Sequence, residues 1–351
     1  MARPAVAGPG AEGTMSPPRM VPRTVGLWGV LALLGGILVA PSLLPLDPFG
    51  SPDPAALRLL PPGSRVPALV RRDGRIVPVA GRGAAGAGIA GGWRVEGEEV
   101  LYRRGPRWRR LPLRDLEVGP DGRPVVRTLW YPLGTDRLGR DLAARLLAGG
   151  RTSLLIGMGS VAGAALLGAV IGLGGALAGG FVDAALSRLG DTLLAFPRVV
   201  LVMALAATVR TGPVGLTLLI AATGWPSLAR LVRADARALA RSEMVVAARA
   251  SGAGPARIAF RHLLPHALST LAVAAGLRIG PFVLLEASLS FLGFGVPLPL
   301  PSWGNILNEG RDVLFEAWWV TTFPGALLGL TVIALNAAAD RLRTRLEVRR
   351  G

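Results

Sequence analysis

Six stretches of the chain are apolar over about the length of a bilayer crossing, and the polar residues are gathered between them. The first runs from Val25 to Leu44. The others are Ser153–Ala178, Thr192–Val209 with Pro197 inside it, Gly212–Val232, Ala267–Leu289 and Trp318–Ala339. This pattern predicts an all-α polytopic membrane protein with six transmembrane helices, at 24–45 and about 153–178, 192–209, 212–232, 267–289 and 318–339. A cleaved signal peptide is the alternative for the first, given Arg19 and Arg23 upstream and small residues near Ala40. Its length and the crossings that follow favour a membrane helix. The glycine-rich second stretch would make a poor helix in water, but in lipid small residues let neighbouring helices approach closely.

The segments between these stretches differ in kind. Residues 1–23 are rich in Pro, Gly and Arg and predict a disordered cytoplasmic tail, with Met15 and Met20 as later starts. Residues 46–130 hold no membrane-length run. There, RVPALV and RIVPVA flank Asp73-Gly74, a signal for a two-residue hairpin turn. WRVEGEEVLYRR reads as a further strand, and Asp121-Gly122 as a further turn. A small β-rich extracytoplasmic insertion is expected at about 63–130. The helices and loops of 131–345 then form the core, ahead of a short cytoplasmic tail at 346–351.

Charge supplies the orientation. The chain has 39 basic and 22 acidic residues, a net charge of +17, and every basic residue is Arg. Arginines in the short segments 1–23, 179–191, 230–266 and 340–351 fall on one side if six helices alternate. The opposing loop 291–317 sets Arg311 against Glu309, Asp312 and Glu316. By the positive-inside rule both termini are cytoplasmic. The segment 51–130, with 15 Arg against 8 acidic residues, then lies outside, as long domains translocate largely regardless of charge. The positive charge is therefore mostly a topology signal, and no nucleic-acid partner is expected. With no cysteine there is no disulfide, thiolate metal site or cysteine nucleophile.

The cytoplasmic stretch 235–266 is more than a connection. Arg237 to Ala250 is rich in Ala and Arg and predicts a helix. Ser251–Gly254 breaks it, and Pro255 suits the first turn of a second helix reaching about Leu264, before Pro265. The small residues Ala247, Ala248 and Gly252 invite insertion into a partner's groove. An amphipathic pair lying on anionic lipid fits the arginines equally well. His262 and His266 have the spacing of a metal pair, but Pro265 lies between them and no acidic partner is near, so no metal site is expected. Arg278, Glu286 and Ser290 are candidates for a translocation path, because ionisable residues within membrane helices are functional by default. Arg278 and Glu286 are about 12 Å apart along a helix, too far to pair directly. Glu286 has the outer membrane interface as its alternative place. Asp136 and Asp141 lie in a loop entering a helix, where capping or interface packing is expected rather than acid–base work. No catalytic residue is assigned.

Several of these stretches resemble one family. Val246-Ala247-Ala248, Gly252-Ala253, Ile258 and Arg261-His262-Leu263-Leu264-Pro265 are similar to the EAA loop of ABC importer permeases, with Val246 where the motif usually has Glu. Gly134-Thr135-Asp136 followed by Gly139-Arg140-Asp141, then Glu286 to Gly293, Pro301-Ser302-Trp303-Gly304 and Phe323-Pro324-Gly325, resemble the C-type permeases of the dipeptide, oligopeptide and nickel branch. The resemblance covers about 25–45 and 130–345, and the long 63–130 insertion departs from it. It implies a type I importer permease core and an inner-membrane heterodimer with a homologous permease. It also implies two cytoplasmic ATP-binding subunits and an extracytoplasmic solute-binding protein. ATP and Mg would sit on the ATPases, since a chain without Lys has no Gly-x-x-x-x-Gly-Lys loop. No cofactor is expected on this chain. Peptide cargo is expected ahead of nickel because the peptide group of that branch is larger, and the only two histidines, both in the cytoplasmic segment, weaken nickel without excluding it. A membrane enzyme with the insertion as its head would have Asp73, Glu96, Glu98, Glu99, Asp115 and Glu117 but no His or Cys. A scaffold that binds a partner through the insertion is the third class.

Overall fold

The computed structural model describes residues 25–43, 47–79, 92–104, 107–209 and 212–348. The tail expected at 1–23 lies outside these, and the last helix runs on through Val348, so only 349–351 of the expected 346–351 tail remain beyond it.

Helix α1 (Val25–Leu43) leads to a one-turn helix α2 (Pro54–Leu57), capped by Asp53, which accepts from the Ala55 and Ala56 amides. Two three-stranded antiparallel sheets follow. One has the order β2-β1-β6, from β1 (Ser64–Val70), β2 (Ile76–Pro78) and β6 (Val126–Tyr131). The other has the order β3-β4-β5, from β3 (Trp93–Glu96), β4 (Glu99–Arg104) and β5 (Arg107–Pro112). Leu69, Val79, Val100 and Leu116 form the core between them. The β1–β2 turn differs from the expected two-residue form. Gly74 donates to the Arg71 carbonyl and Arg71 to the Arg75 carbonyl, with Gly74 at φ +77°, so a three-residue loop closes on a left-handed glycine. WRVEGEEVLYRR is likewise not one strand but a hairpin turning at Gly97-Glu98, because Val95 pairs with Val100 and both sheet faces stay in register.

The remainder is helical: α3 (Leu142–Ala178), α4 (Gly180–Ala195), α5 (Arg198–Thr208), α6 (Pro213–Gly224), α7 (Pro226–Ala240), α8 (Glu243–Ala250), α9 (Pro255–Ile258), α10 (Leu264–Gly276), α11 (Ile279–Phe291), α12 (Trp303–Arg311) and α13 (Trp319–Val348). Three stretches are long and apolar enough to cross a membrane, Leu142–Ala178, Ala256–Gly276 and Trp319–Arg341. Two bent pairs bring the number to five among the described residues. The spans are therefore less regular than the six straight helices the apolar runs predict.

Each irregularity has a local cause. The stretch expected at 192–209 bends by 93° between α4 and α5, because Pro197 forces Phe196 into extended backbone. The stretch expected at 212–232 bends by 46° where Pro226 opens α7. The stretch expected at 267–289 is two helices, since Pro281 cannot donate to the Leu277 carbonyl and its ring crowds it. Where a helix end was expected before Pro265, the chain instead passes through a π turn over Ala259–Leu263 and continues into α10. The wider turn moves the carbonyl away from the proline ring.

Helix α3 is the hub, packed against α7, α6, α11 and α1. Its glycines set the spacing: a Cβ on Gly168 would stand 2.8 Å from Leu228 Cβ and 3.1 Å from the Ala229 amide nitrogen. Gly168→Val is expected to cost about 1–3 kcal/mol by overpacking and to lower the unfolding midpoint of the detergent-purified protein. An unchanged midpoint would contradict close α3–α7 packing.

Candidate functional site

The helical hairpin α8–α9 is fastened from below and open above. Val245, Ile258, Ala259, Leu263 and Ala267 are buried in the main apolar cluster. Met244, Val246, Ala247 and Phe260 are exposed, Phe260 to 70%, and Ala248 is half-buried. The turn is a left-handed helix cap. Ala253 donates to the Ala248 carbonyl at 3.0 Å and Gly252 to the Arg249 carbonyl at 2.9 Å, with Gly252 at φ +83°. That pairing satisfies the last carbonyls of α8 and requires the left-handed region that glycine enters without strain. A Cβ on Gly252 would meet nothing within 4 Å, so the turn faces open space. The first helix of the hairpin is shorter than expected, because α7 ends at Ala240 and the chain restarts at Glu243. Ser242 intervenes in extended backbone, its hydroxyl donating to the Leu239 carbonyl. Arg261 is exposed, and His262 and Leu264 are half-buried on the π turn and the start of α10. Pro265 and His266 are exposed.

The segment 134–141 is a second built site. Thr135 Oγ1 donates to the Leu57 carbonyl at 2.5 Å and accepts from the Leu60 amide at 2.8 Å, while its carbonyl accepts from Trp319 Nε1 at 3.2 Å. Gly134 and Gly139, at φ +79° and +70°, lie against Leu60–Pro61 and Leu57. Asp136 is wholly buried. Its Oδ1 accepts from the Leu138 and Arg140 amides, and its Oδ2 from Arg140 Nε at 2.7 Å and Arg145 Nη1 at 2.6 Å. Both guanidiniums also reach Glu309 on α12, Arg140 at 2.7 Å and Arg145 at 2.5 and 3.0 Å. Asp141 caps α3, accepting from Ala143 at 2.8 Å. Burial holds its carboxyl above the ordinary range, and the helix amides pull it back. Of the two roles expected for these aspartates, capping describes Asp141, and Asp136 is buried as the centre of an ion cluster. Sequence reading missed Arg145 and Glu309. The i,i+4 spacing of Asp136 and Arg140 was the only local hint.

Glu286 is fully buried in α11, its Oε1 accepting from Ser290 Oγ at 2.7 Å, with the hydroxyls of Ser153 and Ser302 beside it. Ser290 Oγ in turn accepts from the Val296 amide at 3.1 Å. Ser290 also lines a cleft of about 360 Å³ together with Phe294, Val296, Asn305, Asn308 and Glu309. Arg278 sits elsewhere, at the α10–α11 break, so the three path candidates do not form one group.

A scan against family models matches residues 164–350 to the binding-protein-dependent transport system inner membrane component. A protein of Brucella suis biovar 1 (strain 1330), provisionally named a peptide permease protein, is 41% identical over 222 residues, covering 63% of this chain and 73% of that protein. The dipeptide transport system permease protein of Alkalihalophilus pseudofirmus is 36% identical over 231 residues, 66% of this chain and 76% of that one. A solved chain of an inward-facing methionine ABC transporter aligns with a TM-score of 0.45 at 22% identity, over 57% of this chain and 95% of that chain. With more than half its length matched by the family model and close to three quarters of each relative covered at well over 30% identity, this chain belongs to the family of binding-protein-dependent transport system inner membrane components.

Proposed function

We propose that this chain is one of two homologous permease subunits of an ATP-driven importer of dipeptides and oligopeptides. It spans the inner membrane six times, counting α1, with both termini cytoplasmic. The relatives named for peptide and dipeptide transport support the cargo. The positive-inside distribution of arginine supports the orientation. ATP is hydrolysed by two cytoplasmic partner subunits, and an extracytoplasmic binding protein delivers the peptide.

The observation that carries the mechanism is the open α8–α9 hairpin. Its outward face offers Met244, Val246, Ala247 and Phe260 near the glycine turn, a small apolar ridge suited to a groove on one of the ATPases. Because the π turn joins α9 to α10 without a break, a displacement of the hairpin is carried directly into the membrane helix Leu264–Gly276. ATP binding then favours one arrangement of the membrane helices through the contacts it changes at this surface. The hairpin acts as a lever and performs no chemistry.

Co-purification of the tagged chain from membranes tests this reading. A second permease and two nucleotide-binding subunits are expected with it, together with ATPase activity stimulated by peptide-loaded binding protein. Recovery of the chain alone, or stimulation by a metal-loaded but not a peptide-loaded binding protein, would overturn it.

A further inference from the structure

Three helix breaks meet deep in the bundle, and each brings a residue to the same place. Arg198 opens α5 after the Pro197 bend, Gly224 closes α6 at its bend, and Arg278 stands at the α10–α11 break. The Arg198 guanidinium lies 3.9 Å over the centroid of Phe282, one turn along α11 from Arg278, and donates to the Ile220 carbonyl at 3.0 Å. Gly224 makes room for it, since a Cβ there would meet Arg198 Nη2 and the Phe282 ring. The Phe282 amide donates to the Arg278 carbonyl at 3.0 Å, so both arginines stand against the same turn of α11.

Their depth follows from the expected crossings. Arg278 stands 11 residues from either end of the one at 267–289, and Arg198 and Gly224 fall at least six residues inside those at 192–209 and 212–232. At 1.5 Å per residue Arg278 is about 16 Å from either end. A lipid phosphate at either surface does not reach it. Broken helices at such depth are tolerated where they are buried in protein or line a water-filled path. Like charges there call for an anionic partner. Among the described residues neither arginine forms an ion pair, and Arg198 Nε is buried without a hydrogen-bond partner. Glu286, eight residues from Arg278 on the same helix, is engaged with Ser290. Both arginines are only part-buried, so a solute on the path can touch them.

We propose that Arg198 and Arg278 form a carboxylate-binding station on the translocation path, which takes the carboxylate of a peptide in transit. This rests on the importer reading above and names the group by which the path holds its cargo. Arg198 is positioned by Phe282 and Ile220, and Arg278 supplies the uncommitted guanidinium. Charge-assisted hydrogen bonds of this kind fix a planar carboxylate, and the α10 lever ends beside them, at Gly276.

The test uses the whole transporter in nanodiscs without its binding protein, with calorimetric titration of tri-alanine and tri-alanine amide. Wild type is expected to hold the free acid about tenfold more tightly than the amide, the range of one charged hydrogen bond. Arg278→Gln is expected to abolish that difference and Arg278→Lys to keep most of it. Because Arg198 also braces Ile220, Arg278 is the cleaner position. An amide carrying an internal Glu separates side-chain from terminal carboxylate as the group held. Equal affinity for acid and amide in wild type, no binding of either, or a difference that survives in Arg278→Gln would overturn the station. Peptide uptake by the same preparation in proteoliposomes with binding protein, run in parallel, reports on the importer reading separately: uptake without acid preference sinks only the station.

Discussion

A Gly252→Arg transporter is expected to insert normally, to lose its ATPase subunits on purification and to take up peptide at least about tenfold more slowly. The structure makes this a test of docking and not of folding. The position faces open space, so the arginine side chain displaces nothing in this chain. The left-handed φ of +83° costs a non-glycine residue roughly 1–2 kcal/mol locally. That is too little to release a hairpin held by Val245, Ile258 and Leu263 in the core. Gly252→Ala carries the same backbone cost without bulk or charge and is expected to keep most of the uptake. If Ala and Arg fail alike, the turn geometry matters and the docked surface does not. If Gly252→Arg transports like wild type, the hairpin is not the coupling surface.

The largest loss of stability is expected from Arg145→Met. Arg145 is fully buried, and with Arg140 it neutralises Asp136 and Glu309. Removing it leaves two carboxylates sharing one guanidinium in a water-poor site. Breaking a buried ion pair by taking one partner costs about 3–5 kcal/mol, mostly the penalty of the charge left behind. The cluster ties the segment ahead of α3 to α12, so thermal unfolding of the detergent-purified protein should start at a clearly lower temperature. Adding Glu309→Gln to Arg145→Met restores neutrality and is expected to recover much of the loss, a non-additivity that contact between the sites requires. A single variant as stable as wild type, or two losses that simply add, would show that the cluster is solvated and weak.

The apolar runs, the Arg-rich short segments and the small-residue hairpin were legible because each is a local pattern. Helical spacing, β-turn glycines and charge asymmetry need no knowledge of what packs on them. Even so, locality misled at prolines. Pro197 and Pro281 lie inside runs whose hydropathy is unbroken, so the runs read as straight crossings although the backbone bends or breaks there. Pro265 misled in the other direction, because a π turn carries the helix past it.

The sequence by itself determined the membrane class, the β-rich insertion before α3 and the presence of an exposed helical hairpin with glycine at its turn. Only the tertiary structure decided which charges meet. Arg145 and Glu309 are 164 residues apart, and Arg198 comes to Phe282 from another helix. Glu286 stood out in the sequence as an ionisable residue in an apolar run, but only packing shows that it is buried beside Ser153, Ser290 and Ser302. The reason is physical. Hydropathy records the cost of leaving water and is a property of each residue alone, whereas the worth of a charge in a low-dielectric interior depends on what stands within a few ångströms of it.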